Sequence, residues 1–210
     1  FATSSNLEAG RRYGVPTTGT SAHAFTLLHD DERSAFEAQV AALGKGTTLL
    51  VDTYDVEQGI RTAVEVAGPE LGGIRLDSGD LPTLATRARE LLDELGATGT
   101  RIVVTSDLDE YAIAGLAAAP VDGYGVGTSL VTGSGAPTVG MVYKLVERDG
   151  VPVAKKSEGK RSVGGRKSAI RRHDADGVAT AEVVTAGPVA ARPGDRDLLV
   201  PLVRSGEITE

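Results

Sequence analysis

"GGIRLDSGDLPTLATRARELLDELGATGTRIVVTSD", residues Gly72–Asp107, decides the fold class of this 210-residue chain. A short apolar run ends in polar residues, a long amphipathic stretch follows, and a second apolar run again ends in polar residues. "GGIRLD" and "RIVVTSD" have the length and branched apolar content of strands. Between them, Leu81–Leu95 keeps helical spacing. Pro82 falls in the first turn, where its missing N–H costs no bond, and Gly96 lies just past the end. Strand, helix and strand joined by short connections make the two strands parallel.

The same unit repeats on either side. "TTLLVD" (Thr47–Asp52) reads as a strand buried on both faces and is followed by a helix over Val56–Ala67. A helix over Leu108–Ala118 leads to a fourth strand, "VDGYGVGTS" (Val121–Ser129), which runs into a Gly-rich loop. Upstream, Phe1–Tyr13 reads as a helix closed by Gly14, Val15–Thr18 as extended, and Ser34–Leu43 as a helix stopped by Gly44. The expected fold class is therefore α/β with a parallel sheet, open or closed into a barrel. Asp52, Asp77–Asp80, Ser106–Asp107 and Gly125–Thr128 put polar groups at four successive strand ends. An open sheet gathers ligands mainly at one switch point, whereas a ring uses many strand ends, so a (β/α) barrel over residues 1–138 is the expectation. Residues 139–210 read differently. A β-hairpin turns at Asp149-Gly150, "EGKRSVGGRKSAIRRH" reads as a basic, Gly-containing loop, and "GVATAEVV" and "RDLLVPLVRSGEI" as short strands of a β-rich extension.

Composition narrows the function. A formal net charge of −7 argues against general nucleic-acid binding, which needs a basic surface. No apolar run reaches the ~20 residues of a membrane-spanning helix. Cysteine is absent, which excludes thiolate chemistry and disulfides, and a cytoplasmic protein is the expectation. "FATSSNLEAG" has neither the basic start nor the apolar stretch of a signal peptide, and reads like the middle of a helix, so the chain is expected to be a portion of a longer protein.

The candidate chemistry lies at the strand ends. Asp52 closes a buried strand, where a carboxylate is solvated, hydrogen-bonded or metal-bound; capping of the next helix by Asp52 or Thr53 is the plainer alternative. Arg75 and Asp77 lie two apart, so their side chains share one face of an extended strand. Ser78 and Gly79 follow, and Gly79 permits a close backbone approach to a ligand. Asp80 reads as a cap for the helix from Leu81. Asp52 and Asp77 together suit a hydrated Mg²⁺ or sugar hydroxyls. Gly125, Gly127 and Thr128 make a weak phosphate-cradle signal, neither a Walker loop nor a dinucleotide fingerprint. Of three histidines, His29 and His173 read as surface residues. His23, in a polar loop after Thr20 and Ser21, reads equally as structural or catalytic.

Taken together, "SNLEAGRRYGVPTTGTSAHAF" (Ser5–Phe25), "LVDTYD" (Leu50–Asp55), "IRLDSGDL" (Ile74–Leu81), "VTSDLDE" (Val104–Glu110), "GVGTSLVT" (Gly125–Thr132) and "VYKLVE" (Val142–Glu147) resemble, in order, successive blocks of the nicotinate phosphoribosyltransferases. "KKSEGKRSVGGRK" (Lys155–Lys167) is similar to a further block, with Gly164 where that block has Pro. The resemblance implies a type II phosphoribosyltransferase: an N-terminal α/β domain, expected to lie outside this stretch, and an incomplete barrel, of which this chain would be the major part. It implies a homodimer in which an N-terminal aromatic residue stacks on nicotinate across the interface. It also implies transfer of phosphoribose from 5-phosphoribosyl 1-diphosphate (PRPP) to nicotinate, with coupled ATP hydrolysis, in NAD salvage. By matched position, His23 would take phosphate from ATP. Asp52 and Asp77 would serve the ribose and Mg²⁺. Thr20, Arg75, Ser78 and Gly79 would contact substrate, and Gly125, Gly127 and Thr128 the 5′-phosphate. The alternatives are a nicotinamide phosphoribosyltransferase, another phosphosugar-binding barrel enzyme, and a catalytically silent barrel fragment.

Overall fold

A computed structural model describes residues 1–133, 135–157 and 159–209. The chain forms two compact units. The first comprises Phe1–Lys144 and Lys155–Ser162, the second Leu145–Ala154 and Val163–Glu210.

The first unit carries the strand–helix repetition. Its helices are α1 (Leu7–Tyr13), α2 (His23–Leu27), α3 (Glu32–Leu43), α4 (Val56–Ala67), α5 (Leu81–Glu94), α6 (Glu110–Gly115) and α7 (Thr128–Thr132). Four strands, β1 (Thr48–Leu50), β2 (Gly73–Leu76), β3 (Arg101–Val104) and β4 (Gly123–Tyr124), form one parallel sheet in sequence order. Four strands in a row leave the sheet unclosed among the described residues, so the shown fold is mixed α/β and not a ring. Helix α1 is shorter than expected. Asn6 accepts the Ala9 N–H and fixes the start at Leu7, while Gly14, at φ 67°, ends it. The expected loop around His23 is instead the start of the short helix α2.

The register explains both core and site. Leu49 pairs with Ile74 and Ile74 with Ile102, and these side chains are fully buried with Leu76, Val104, Ile60, Leu91 and Leu92. Each contributes about 1.5–3 kcal/mol of hydrophobic stabilisation. Alternation puts the next residues on the opposite face, where Leu50, Arg75, Val103 and Gly123 align. The ladder continues beyond the assigned strands: Val51 N–H donates to Arg75 C=O, Thr105 N–H to Leu76 C=O and Gly125 N–H to Val104 C=O. Two residues further along, Asp52, Asp77, Thr105 and Gly125 therefore share that face at the strand ends. Gly125 has a steric reason to lack a side chain, because a Cβ there would lie 2.5 Å from Thr105 Cγ2.

The second unit is a hairpin of β5 (Glu147–Arg148) and β6 (Val151–Pro152) and an antiparallel sheet of β8 (Ala179–Ala186), β7 (Lys167–His173) and β9 (Arg196–Asp197), with a short pair β10 (Val203–Arg204) and β11 (Glu207–Ile208). Strand β7 corrects the sequence reading, which made this part of the basic loop. The strand is half-buried, so it accommodates cations, and Arg171 is paired across to Glu182 on β8.

Helix α4 lies so close to β1 that a Cβ on Gly59 would sit 2.4 Å from the Val51 carbonyl oxygen. Gly59→Ala should destabilise the protein by about 1–3 kcal/mol, read as a lower urea midpoint at unchanged slope. An unchanged midpoint would show that this packing is not tight.

Candidate active site

Asp77 sits where β2 ends and is the hub of the polar cluster. Its Oδ1 accepts hydrogen bonds from Arg75 Nη2 at 2.7 Å and from the Thr105 hydroxyl. Its Oδ2 faces His23 Nε2 at 3.6 Å, Lys160 Nζ at 3.5 Å and Lys155 Nζ at 4.0 Å. Burial alone would raise its pKa. The nearby His23 ring and the bonds from Thr105 and Arg75 outweigh burial and hold the carboxyl well below the usual range.

Asp52 is buried beside it. Its Oδ2 accepts the Asp77 N–H at 3.1 Å and the Ser78 hydroxyl, and its Oδ1 lies 3.8 Å from His23 Nε2. The capping alternative for Asp52 is thereby excluded: α4 is capped by Asp55, which accepts the Gln58 N–H. Ser78 is buried and its hydroxyl donates to Asp52, so it orders the carboxylate. Gly79 is exposed at φ 85°, a left-handed conformation that favours glycine. Asp80 stands at the cap position of α5, but its carboxylate accepts from the Thr83 hydroxyl and not from a backbone N–H.

Arg75 is held on three sides. Its Nε donates to Thr105 Oγ1 at 2.8 Å, Nη1 to Thr20 Oγ1 at 2.7 Å and Nη2 to Asp77. A guanidinium has five N–H donors, so two remain for a ligand. His23 opens α2, and its Nδ1 lies 3.0 Å from Thr53 Oγ1, while Nε2 is buried facing the carboxylates. The structure thus brings together Thr20, His23, Asp52, Arg75 and Asp77, five residues from three separate stretches of sequence.

The phosphate-loop residues divide. Gly125 packs on Thr105, at the edge of the cluster. Gly127 and Thr128 are exposed at the start of the five-residue helix α7, and among the described residues they make no hydrogen bond to the cluster. His29 is half-buried and not a surface residue: its Nδ1 contacts Phe25 C=O at 2.8 Å, and its ring packs on Phe25. His173, at the end of β7, places Nδ1 3.1 Å from Gly194 C=O.

Sequence reasoning missed several members. Thr53 was legible only as a possible helix cap and Thr105 only as part of the strand run "RIVVTSD". Lys155, Ser157 and Lys160 lay in a stretch whose role the sequence left open. Lys155 is 2 % exposed, and burial lowers its pKa against the attraction of Asp52 and Asp77. The Ser157 hydroxyl donates to Asp52 C=O, and Lys156 N–H to Thr53 C=O. Lys160 Nζ donates to Asp77 C=O at 2.7 Å and to Ser106 Oγ at 2.9 Å. Ser106, at φ 114°, adopts a backbone conformation that serine rarely takes. Glu158, in the same block, lies outside the described residues.

The donor set does not fit a metal ion held by the aspartates, as the sequence had suggested. Mg²⁺ needs near-octahedral oxygen donors at about 2.0–2.1 Å. Asp77 is occupied by cations on both oxygens, which leaves Asp52 Oδ1. Among the described residues, no group of three or more His, Cys, Asp or Glu could hold a metal ion.

Comparison with known proteins settles the kinship. The chain is 63% identical over 218 residues to a nicotinate phosphoribosyltransferase of Mycobacterium tuberculosis, an alignment that covers 99% of this chain and 48% of that protein. The chain belongs to the nicotinate phosphoribosyltransferase family. A Bacillus subtilis protein of the same name is 45% identical over 161 residues, 71% of this chain and 32% of that protein. The chain thus spans about half the length, or less, of these curated relatives. Among solved structures, a nicotinate phosphoribosyltransferase from Porphyromonas gingivalis matches with TM-score 0.65 at 23% identity, over 76% of this chain and 47% of that one, a likeness of fold. A nicotinate-nucleotide pyrophosphorylase from Pyrococcus furiosus matches with TM-score 0.57 at 26% identity, over 99% and 54%. No family model matches the chain. Among the described residues, no helix is long and apolar enough to cross a membrane.

Glu32, at the foot of α3, shares a cleft with Asp31, Tyr54 and Asp55. Burial, then Asp52 and Asp55, push its carboxyl up to about 8. A folded pKa above the ordinary 4.5 means that the folded state binds the extra proton between those values, so stability falls as pH rises from about 5 to 8. Glu32→Gln should remove that decline, worth about 2 kcal/mol after allowance for partial exposure. Parallel pH profiles for the two proteins in urea melts would contradict the assignment.

Proposed function

We propose that this chain carries the phosphoribosyl-transfer centre of a nicotinate phosphoribosyltransferase, with His23 as the phosphoryl acceptor that couples ATP hydrolysis to transfer. The observation that carries the reading is the convergence of His23, Asp52, Arg75 and Asp77 at two neighbouring strand ends, with Arg75 clamped by Thr20, Thr105 and Asp77.

In the proposed reaction, the ring nitrogen of nicotinate attacks C1 of the ribose. The C1–O bond to diphosphate breaks, and its electron pair leaves with diphosphate. Positive charge develops on the ribose, as in glycoside transition states, and the carboxylates of Asp52 and Asp77 stabilise it. Arg75 offers its two remaining N–H donors to the nicotinate carboxylate. A cation there favours the acid over nicotinamide, whose neutral amide gains less from a guanidinium. No step is assigned to a metal ion at the aspartates.

The phosphoryl step follows the ring geometry. An anionic phosphoryl group approaching Nε2 would meet two carboxylates, so Nδ1 is the acceptor and Nε2 keeps its proton toward Asp52 and Asp77. The Nδ1 lone pair forms the N–P bond, the bond to ADP breaks, and ADP leaves with its electron pair. The resulting imidazolium character is offset by the same carboxylates, and the Thr53 hydroxyl gives way to the phosphoryl group. We read the four-stranded sheet as part of an incomplete barrel; the barrel-like location of the cluster at strand C-termini supports this.

An assay of the full-length protein with nicotinate, PRPP and ATP tests the reading. Arg75→Gln should raise the KM for nicotinate roughly thirtyfold, for about 2 kcal/mol of charge-assisted bonding, and narrow the preference over nicotinamide. His23→Ala should abolish ATP consumption coupled to product while slow transfer persists. Unchanged ATP stoichiometry in that variant, or an unchanged KM in the first, would overturn the corresponding role.

A further inference from the structure

The misfit between a metal ion and the aspartate pair points to what stands in its place. We propose that Lys155 is the built-in counter-ion of the Asp52–Asp77 pair, doing for the resting protein what a bound divalent cation would otherwise do. Lys155 is 2 % exposed, and its Nζ has no hydrogen-bond partner among the described residues. Lysine is almost never buried so fully unless its charge is compensated. Asp77 Oδ2 lies 4.0 Å away, and Asp52 Oδ1 is likewise buried and, among the described residues, without a hydrogen-bond partner. Lys160 adds a second ammonium 3.5 Å from Asp77 Oδ2, and Arg75 binds Oδ1.

The local charge balance makes the case. Among the described residues, two carboxylates face three cations, Arg75, Lys155 and Lys160, beside the His23 imidazole. These cations already occupy Asp77, so a divalent ion entering here would find one available carboxylate oxygen, Asp52 Oδ1. Lys155 touches no reacting atom in this arrangement. It is a positioning residue, acting through Asp77 to keep that carboxylate ionised and turned toward His23. The backbone around it is fixed to the same strand end, since Ser157 Oγ donates to Asp52 C=O and Lys156 N–H to Thr53 C=O. The proposal concerns the protein without substrate, so it stands or falls apart from the phosphoribosyl-transfer reading.

The test is a Mn²⁺ titration of the substrate-free, full-length protein. Free Mn²⁺ is read by electron paramagnetic resonance, and proximity by broadening of the His23 imidazole proton signals. The wild-type protein should bind no stoichiometric Mn²⁺ and keep sharp His23 signals at equimolar metal. Lys155→Met keeps the buried stem and removes the charge; it should gain a site at least tenfold tighter than any in the wild type, with His23 broadened. Adding Asp52→Asn to that variant should remove the site again. Lys155→Arg keeps the cation and should stay without one, which a merely structural role for the side chain would not require. Stoichiometric Mn²⁺ binding that broadens His23 in the wild type would overturn the proposal without any variant. So would a folded Lys155→Met protein with no gain in affinity.

Discussion

One carboxylate, Asp77, organises everything near it. Placed two residues after Arg75 on the same face of β2, it receives that guanidinium and the Thr105 hydroxyl on one oxygen. The other oxygen faces His23 and two lysines. A buried carboxylate so surrounded stays ionised, and its charge in turn holds those cations in place. Removing it would leave Arg75, Lys155 and Lys160 facing one another, a far larger disturbance than the loss of any single hydrogen bond.

The fold makes that arrangement possible through register alone. Parallel pairing of Ile74 with Leu49 and Ile102 buries one face against helices and sends the alternate residues to the other. The row Asp52, Asp77, Thr105 and Gly125 then follows from period two, with Gly125 leaving space for Thr105. A slip of one residue in any of these strands would turn its polar member toward the helix-packed face and its core residue toward the cluster.

Much of this was legible in the sequence, and the physical reason is local. The helix over Val56–Ala67 was readable to the residue, because Asp55 and Gly68 bound a strongly amphipathic segment. The candidates His23, Thr20, Arg75, Asp52 and Asp77 were readable as polar groups at strand ends or in a polar loop. What failed was non-local. Whether the sheet closes depends on partners that no single segment encodes, and the four strands among the described residues do not by themselves close it. The bond from the Ser78 hydroxyl to Asp52 joins two strand ends and is encoded by neither alone. Lys155 and Lys160 come from a stretch 78 or more residues after Asp77, and a basic run in isolation looks like a solvated loop. Strand β7 was hidden for a similar reason: its arginines are paired across the sheet, a fact of register and not of composition.

The most direct test of the central claim, that this strand-end cluster is a site for nicotinate and phosphoribose, is a crystal structure of the full-length protein with nicotinate mononucleotide. The ligand carboxylate is predicted within hydrogen-bond distance of the Arg75 guanidinium, with the ribose against Asp52 and Asp77 and the His23 ring alongside. A nucleotide bound elsewhere, with Arg75 still engaged only by Thr20, Thr105 and Asp77, would contradict the account.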